Sequence, residues 1–252
     1  MKVDIIYNTD SRNMKEVEDK SIQLIITSPP YNVKKSYDNH KDSMPFKKYL
    51  SMLNDVWKEC FRVLCDGGRI CINVANTGRK PYVPLHAYIA KQLVKLGFLM
   101  RGEIIWNKGA SVGSSTAWGS WRSASNPTLR DVHEYILVFN KGSFKLRNER
   151  KSDINRDEFL GFTKSIWEFP TVQAKKIGHP TPFPEELPRR LIKLYSFPKD
   201  IVLDPFIGSG TTAIAAKKLN RFYIGYDISK KYCRLAEKRI KETFSQKRLK
   251  DF

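Results

Sequence analysis

One short run in this sequence combines a hydroxyl, two prolines and a phenol directly after an apolar stretch. Ser28-Pro29-Pro30-Tyr31 follows the apolar run at residues 23–27. Such a turn offers hydrogen-bond acceptors on a stiff backbone, because proline fixes φ and carries no N–H, and the ring offers a flat face for stacking. Taken alone, the same residues fit equally well with a strand that ends in a proline-rich structural turn.

A second turn, DPFIGSG at residues 204–210, also follows an apolar run and leads into a helical pattern. Its glycines would let the backbone turn sharply beside a ligand, and Asp227 at the end of the next predicted strand would accept hydrogen bonds from ribose hydroxyls. The full three-glycine fingerprint of a pyrophosphate cradle is absent. The pattern therefore indicates a cofactor with an adenosine and no pyrophosphate, and an ordinary tight turn with Asp227 as a solvated cap is the alternative.

Short β-branched runs alternate with longer amphipathic stretches along most of the chain. This alternation is typical of a largely parallel sheet with helices on both faces. In such a sheet the two turns lie at the carboxyl ends of neighbouring strands, so we expect them to form one cleft. The first helix is expected to end at a C-cap formed by residues 66–68. Strands are predicted at 3–7, 23–27, 69–73, 99–106, 135–139, 201–203 and 222–225, and helices at 46–64, 84–97 and 210–220.

The composition is that of a globular chain with a strong positive charge. At 252 residues and 41% hydrophobic content, a single domain covering residues 1–252 is expected. No apolar run approaches the roughly 20 residues of a membrane span. The start, MKVDIIYNTD, lacks a secretory pattern, so a cytoplasmic protein with no membrane partner is predicted. The net charge of +19 favours a nucleic-acid partner, although a lysine-rich surface alone would explain it equally.

The four cysteines show neither a metal-binding nor a disulfide pattern. Cys60, Cys65, Cys71 and Cys233 form no CxxC pair, and the four histidines are not spaced near them as zinc ligands are. Neither a structural metal nor a disulfide is therefore expected.

Two stretches interrupt the alternation of strands and helices. Residues 110–131 are rich in serine, glycine and tryptophan, and residues 141–178 are charged with scattered aromatic residues. Loops of this length in a compact domain are usually functional, so both are candidate substrate-contacting insertions. They contain the candidate DNA contacts, each of which would on its own be interpreted as an ordinary surface group: Trp118, Arg122, Arg130, Lys145 and Arg147.

Three motifs, taken together and in this order, resemble those of the β group of DNA amino-methyltransferases. The family's catalytic [D/N/S]PP[Y/F/W] motif matches residues 28–31, and its FxGxG loop matches residues 206–210. An HPTxxP-like element matches residues 179–184. The resemblance covers nearly the whole chain. One departure is Pro188, which lies inside the helix expected at 185–196 and would delete a backbone donor there, delaying the start of that helix.

The resemblance implies a fold, a cofactor and partners. The fold is a doubly wound, Rossmann-like α/β domain with a mostly parallel seven-stranded sheet, one antiparallel strand and a small target-recognition insertion at 140–178. The cofactor is S-adenosyl-L-methionine, the substrate is double-stranded DNA, and a cognate restriction endonuclease is an implied partner; monomer and homodimer both remain open. The implied cofactor site comprises Asp10, Thr27, His179, Pro180, Thr181, Asp204, Pro205, Phe206, Gly208, Ser209, Gly210, Thr211, Thr212 and Asp227.

The implied chemistry is direct methyl transfer to an exocyclic amino nitrogen of a base. That nitrogen is a poor nucleophile because its lone pair is delocalised into the ring. The Ser28 hydroxyl oxygen and the Pro29 carbonyl would accept its two N–H groups and localise the pair, while Pro30 stiffens the turn and Tyr31 stacks on the extruded base. Methylation of cytosine carbon 5 is disfavoured, because it needs a cysteine after a proline and no cysteine here follows one.

The target base and the rival functions follow from the same motif. Serine in its first position is commoner with cytosine 4-amino than with adenine 6-amino methylation in the family, so cytosine is favoured over adenine. Methylation of RNA or of a protein amide, and a non-catalytic DNA-binding module, are the rivals. His133 and Glu134 look like a catalytic pair, but no step of this reaction requires one, so a structural role is expected for both.

Overall fold

The computed structural model describes residues 1–33, 36–37, 40–41, 43–78, 81–109, 119–147, 150–172 and 183–248. Its strands are β1 (Ile5–Tyr7), β2 (Ile22–Thr27), β3 (Ser36–Tyr37), β4 (His40–Lys41), β5 (Leu64–Val74), β6 (Phe98–Asn107), β7 (His133–Lys141), β8 (Ile166–Glu168), β9 (Ile201–Asp204) and β10 (Phe222–Tyr226). Its helices are α1 (Phe46–Val63), α2 (Leu85–Lys95), α3 (Arg156–Phe162), α4 (Glu186–Tyr195), α5 (Thr211–Lys218) and α6 (Lys230–Arg248).

One large sheet organises the described residues, and the short strands β3 and β4 pair separately. The sheet order is β1-β10-β9-β2-β5-β7-β6-β8, and every neighbouring pair is parallel except those that β7 makes with β5 and β6. The mostly parallel α/β fold is confirmed, but the sheet has eight strands rather than the predicted seven. The additional strand, β8, has three residues of which only Trp167 is buried, which is too short for a recognisable pattern.

Helices cover both faces of the sheet, and each face has its own core. Trp57 of α1 packs against one face, and Leu187 of α4 packs against the other. The central strand β2 contributes to both cores, because successive side chains of a strand point to opposite faces. Ile25 joins the core under α1, and Leu24 and Ile26 join the core under α4. Burial on both sides explains the continuous apolar run in β2.

Two expectations about helix ends were wrong. Because α1 ends at Val63 and β5 begins at the next residue, Gly67 is not a C-cap. Gly67 lies within β5 at φ +78, where a Cβ would come within 2.0 Å of the Lys145 carbonyl oxygen. Pro188 is the third residue of α4, where a backbone N–H has no partner within the helix. The proline therefore costs no hydrogen bond, and α4 begins at Glu186.

The described residues have neither a membrane span nor a metal cluster nor a disulfide. None of their helices is both long and apolar enough to cross a membrane. They contain no cluster of three or more metal-ligating side chains, and the four cysteines are free thiols. Burial raises the pKa of the Cys60 and Cys71 thiols, so neither is a reactive thiolate at neutral pH.

Candidate active site

The strand order reverses between β9 and β2. From this point the chain proceeds outward in opposite directions, from β2 to β5 and from β9 to β10. Such a switch point leaves a crevice at the carboxyl ends of the strands. A cavity of about 840 Å³ lies there, and both predicted turns line it, with Ser28, Pro29 and Pro30 from one and Pro205, Phe206, Gly208 and Ser209 from the other.

The loop after β9 is held against the end of β10 by a carboxylate in the cavity wall. The Gly208 N–H donates to Asp227 Oδ2 at 3.1 Å, and the Ser229 N–H donates to Asp227 Oδ1 at 2.8 Å. Burial raises the pKa of Asp227, and the two N–H groups only partly offset that effect. Because a carboxylate oxygen accepts more than one hydrogen bond, Asp227 retains acceptor capacity for the hydroxyl groups of a ligand.

Three of the expected cofactor contacts are buried beneath this loop instead. Thr27 Oγ1 and Thr212 Oγ1 donate to Oδ1 and Oδ2 of Asp204, each at 2.7 Å. All three residues are at most 1% exposed, and none lines the cavity. Burial raises the pKa of Asp204 to about 6, although the hydrogen bonds act in the opposite direction. The Phe206 N–H also donates to Asp204 at 3.0 Å, so this buried group positions the loop rather than forming the cavity wall.

Gly210 at the end of the loop and Thr211 at the start of α5 differ in their surroundings. Gly210 precedes α5 at φ +80, and a Cβ there would lie 2.8 Å from the Cβ of Ala236 in α6. This glycine is therefore required for close packing of the two helices. Thr211 lines the cavity.

Asp10, which lies beyond β1, is a further acidic residue of the cavity lining. The Arg12 guanidinium donates to its carboxylate at 2.9 Å and 2.6 Å, and the Arg12 N–H donates to it at 2.9 Å. Partial burial raises the pKa of Asp10, but the hydrogen bonds and charge of Arg12 outweigh burial and lower that pKa overall. At neutral pH, Asp10 thus presents an ionised carboxylate that already has a cationic partner.

The tetrapeptide turn is fixed by side chains and backbone from outside it. The Tyr49 hydroxyl of α1 donates to the Pro30 carbonyl at 2.6 Å. Asn32, at φ +56, forms two hydrogen bonds of 2.8 Å with the backbone of Met44. These contacts hold the proline corner in place from the direction of α1.

Tyr31 is not among the residues that line the cavity. Its hydroxyl lies 2.8 Å from Ser28 Oγ and donates to Glu134 Oε2 at 3.2 Å. Its ring is partly buried against the core under α1. Tyr31 therefore connects Ser28 to Glu134, and the stacking face assigned to it from the sequence stays a prediction.

Glu134, for which a structural role was expected from the sequence, lies beside the tetrapeptide turn. It is the second residue of β7, which runs antiparallel and so begins at the edge where β5 ends. Asn73 Nδ2 of β5 donates to Glu134 Oε2 at 2.6 Å, and Lys108 Nζ lies 2.6 Å from Glu134 Oε1. The available signal was topological, because the first residues of an antiparallel strand meet the carboxyl ends of its parallel neighbours.

The sheet separates the candidate DNA contacts. Arg122 and Arg130 lie in the connection between β6 and β7, at the edge of the sheet that carries the cavity. Lys145 and Arg147 follow β7, whose antiparallel course carries the chain to the opposite edge. The four residues therefore lie at two opposite edges of the sheet. Trp118, the fifth candidate DNA contact, lies outside the described residues, as do His179, Pro180 and Thr181 of the expected cofactor site.

A family model described as DNA methylase, N6_N4_Mtase, matches residues 22–238. The match spans both turns and most of the sheet. The chain belongs to this DNA methylase family. The resemblance inferred from the three motifs is confirmed, and with it an enzyme that methylates DNA at cytosine N4 or adenine N6.

Relatives match this DNA methylase over nearly its whole length. It is 32% identical to the type II methyltransferase M.MjaI of Methanocaldococcus jannaschii, over 95% of this chain and 93% of that protein. It is 31% identical to the DNA adenine methyltransferase YhdJ of Escherichia coli, over 94% of this chain and 82% of that protein. The structure of TTHA0409 from Thermus thermophilus, complexed with S-adenosyl-L-methionine, aligns with a TM-score of 0.74 and 31% identity over 93% of each chain.

Proposed function

We propose that this DNA methylase transfers a methyl group from S-adenosyl-L-methionine to the 4-amino nitrogen of cytosine in duplex DNA. One observation carries the proposal: a single cavity is lined by Ser28 and by the loop that contains Gly208. It brings an acceptor for an amine beside a loop suited to an adenosine-containing cofactor. The complex of the similar protein TTHA0409 with S-adenosyl-L-methionine supports this choice of cofactor.

The residues of the cavity fit this cofactor. The cavity volume of about 840 Å³ lies in the range that small-molecule sites occupy. Asp227 would accept hydrogen bonds from the ribose hydroxyls, and Gly208 and Ser209 leave room for the backbone to lie close to the ligand. Asp10 supplies a second carboxylate in the wall. When bound, the cofactor supplies a methyl group activated on a sulfonium.

The protein contributes chiefly by positioning the amine. Ser28 Oγ accepts one N–H of the amino group and the Pro29 carbonyl accepts the other, which localises the nitrogen lone pair as the methyl arrives. The bond from Tyr49 to the Pro30 carbonyl keeps the turn in one orientation. Because the donor is already activated, fixed geometry supplies most of the rate.

Cytosine is the proposed target because Ser28 occupies the first position of the tetrapeptide. Adenine is the second candidate, favoured by the similarity to YhdJ, a DNA adenine methyltransferase. The similarity to M.MjaI, a type II methyltransferase, supports a cognate restriction endonuclease as a partner of the system.

The proposal is tested with purified enzyme, labelled S-adenosyl-L-methionine, and duplex DNA or RNA of matched sequence. After digestion to nucleosides, mass spectrometry identifies the methylated base. We expect label in N4-methylcytosine from DNA and none from RNA. Label in N6-methyladenine would instead identify adenine, the second candidate, as the target base. Absence of label from DNA of broad sequence content, with cofactor binding intact, would overturn both.

We further propose that duplex DNA contacts the cavity edge of the sheet. The candidate recognition region at 140–178 is divided by the fold, because the residues after β7 lie at the far edge and β8, parallel to β6, brings the chain back. Arg122 and Arg130, by contrast, both lie at the cavity edge of the sheet. Replacing both by alanine should reduce the slope of log affinity against log salt by roughly 2, whereas the matched pair Lys145→Ala and Arg147→Ala should leave the slope unchanged.

A further inference from the structure

We propose that Glu134 is a positioning residue that keeps the Ser28 hydroxyl oriented as a hydrogen-bond acceptor. This inference rests on the proposed function, because it concerns how Ser28 meets the amine. Glu134 acts through Tyr31, whose hydroxyl lies between Ser28 Oγ and Glu134 Oε2 at 2.8 Å and 3.2 Å respectively.

Both oxygens of the largely buried Glu134 carboxylate have a partner. Lys108 Nζ lies 2.6 Å from Oε1, and the two side chains are 18% and 12% exposed respectively. Asn73 Nδ2 donates to Oε2 at 2.6 Å. The ammonium and the amide are both donors here, so the carboxylate serves as the acceptor at the end of the chain of hydrogen bonds.

The direction of that chain follows from counting hydrogens. A tyrosine hydroxyl has one hydrogen, and the acceptors near it besides Ser28 include Glu134 Oε2 at 3.2 Å and the Asn73 carbonyl at 3.5 Å. The charged and nearer carboxylate is the stronger acceptor. With its hydrogen directed to Glu134, the Tyr31 oxygen accepts, and it also receives the Asn73 side-chain N–H at 3.3 Å. The Ser28 hydroxyl hydrogen must then point to Tyr31.

This direction is the one that methyl transfer needs. A serine hydroxyl has one hydrogen and two lone pairs. If the hydrogen points to Tyr31, the lone pairs face away from it and are available to an N–H of the base. If the hydrogen instead pointed to the amine, Ser28 would act as a donor and would draw on the nitrogen lone pair that attacks the methyl group.

The substitution Glu134→Gln tests the direction of the chain with little change of shape. Lys108 requires an acceptor, so the amide oxygen should remain at the Oε1 position. The amide NH2 should then face Tyr31 and Asn73, whose side-chain amide would turn its oxygen toward it. The NH2 then donates to the Tyr31 oxygen, and the Tyr31 hydrogen turns toward Ser28. We expect kcat to fall roughly 10- to 100-fold, because a charge-assisted bond is lost, with the KM for DNA and the Kd for cofactor changed by less than about twofold.

A double-mutant cycle with Tyr31→Phe separates this role from a merely structural one. Tyr31→Phe removes the hydroxyl that connects Ser28 to Glu134, so this single substitution should already lower kcat. Adding Glu134→Gln to Tyr31→Phe should then cause no further fall in kcat. Glu103→Gln, the same substitution on the neighbouring strand β6, is the matched control and should retain kcat. Thermal unfolding of each variant verifies that the fold is intact.

The outcomes are distinguishable from failure of the proposed function. If wild-type enzyme does not methylate DNA, the proposed function fails. If wild type methylates DNA and Glu134→Gln retains its kcat, the inference is overturned. Equal losses from Glu134→Gln with and without the Tyr31 hydroxyl also overturn it. If Glu134→Gln does not fold, Tyr31→Phe decides, because an unchanged kcat in that variant removes the chain of hydrogen bonds from the mechanism.

Discussion

The loop after β9 and the tetrapeptide after β2 line the same cavity, but different kinds of contact position them. Asp204 fixes the loop through a buried group formed with Thr212, 8 residues away, and with Thr27, which is 177 residues away at the end of β2. The tetrapeptide is fixed by Tyr49, which is 19 residues from its partner Pro30, and by Glu134, which is 103 residues from Tyr31.

The difference has a physical cause in the backbone. The loop has N–H groups at Phe206 and Gly208, which donate to the carboxylates of Asp204 at its start and of Asp227 at the end of β10. Pro29 and Pro30 carry no N–H group, so the turn that contains them cannot be held in this way. Its carbonyl and hydroxyl groups are bonded by side chains from other elements instead. Changes around the tetrapeptide should therefore affect turnover, and changes in the loop should affect cofactor binding or stability.

Ser28→Ala should give the largest effect and the clearest division between turnover and binding. Removing an acceptor used in the transition state should lower kcat on the order of 100- to 1,000-fold, while cofactor affinity measured by calorimetry stays within about twofold. Ser21→Ala, at the other end of β2, is the control and should leave both unchanged. Near-normal turnover by Ser28→Ala would contradict the acceptor role of the hydroxyl.

The shared cavity could be predicted from the sequence because the carboxyl ends of parallel strands gather at one edge. Ser28 and Gly208 each follow an apolar run directly, so their meeting needed only the fold class. The burial of Thr27 and Asp204 was not predicted. Their nearness to the motifs suggested contact with a ligand, but strand residues alternate between faces, and the sequence does not show which face packs against α5.

Asp204→Asn tests whether the loop is set by a buried carboxylate. Burial raises the pKa of Asp204 from 3.8 to about 6, so the folded protein favours the protonated form. Its contribution to stability is present below the lower of these pKa values and is lost as the pH rises through the upper one. From about pH 4 to about pH 7, the free energy of unfolding of wild type should fall by about 2 kcal/mol relative to the variant.

Urea unfolding across this pH range measures the difference. An amide still offers an oxygen to Thr27, and the Thr212 hydroxyl can accept from the NH2 group, so the variant should fold. A difference between the two proteins that does not change with pH would show that Asp204 has no raised pKa in the folded protein.

Gly208→Val tests the loop through cofactor affinity. Gly208 has φ +48, and a β-branched residue in that region is strained by roughly 1–3 kcal/mol. We expect cofactor affinity to fall roughly 10- to 100-fold, measured by calorimetry. The control is Gly102→Val in β6, where a Cβ would meet nothing within 4 Å. Unchanged affinity in Gly208→Val would remove this loop from the cofactor site.

The contacts of the tetrapeptide could not be predicted, because they depend on which strands are neighbours. Glu134 reaches Tyr31 only because β7 pairs antiparallel with β5. The same strand direction places Lys145 and Arg147 at the far edge, although their charges resemble those of Arg122 and Arg130 in the sequence. Residue type alone does not distinguish these two sets.

Tyr49→Phe should give the smallest effect and the finest test of the comparison. It removes one hydrogen bond of 2.6 Å to the Pro30 carbonyl and keeps the buried ring. A single such bond contributes about 1 kcal/mol, so we expect kcat to fall roughly fivefold while cofactor affinity is unchanged. Tyr88→Phe, at an exposed tyrosine of α2, is the matched control and should change neither quantity. Loss of cofactor affinity with kcat retained would mean that α1 supports the cofactor side of the cavity rather than the tetrapeptide.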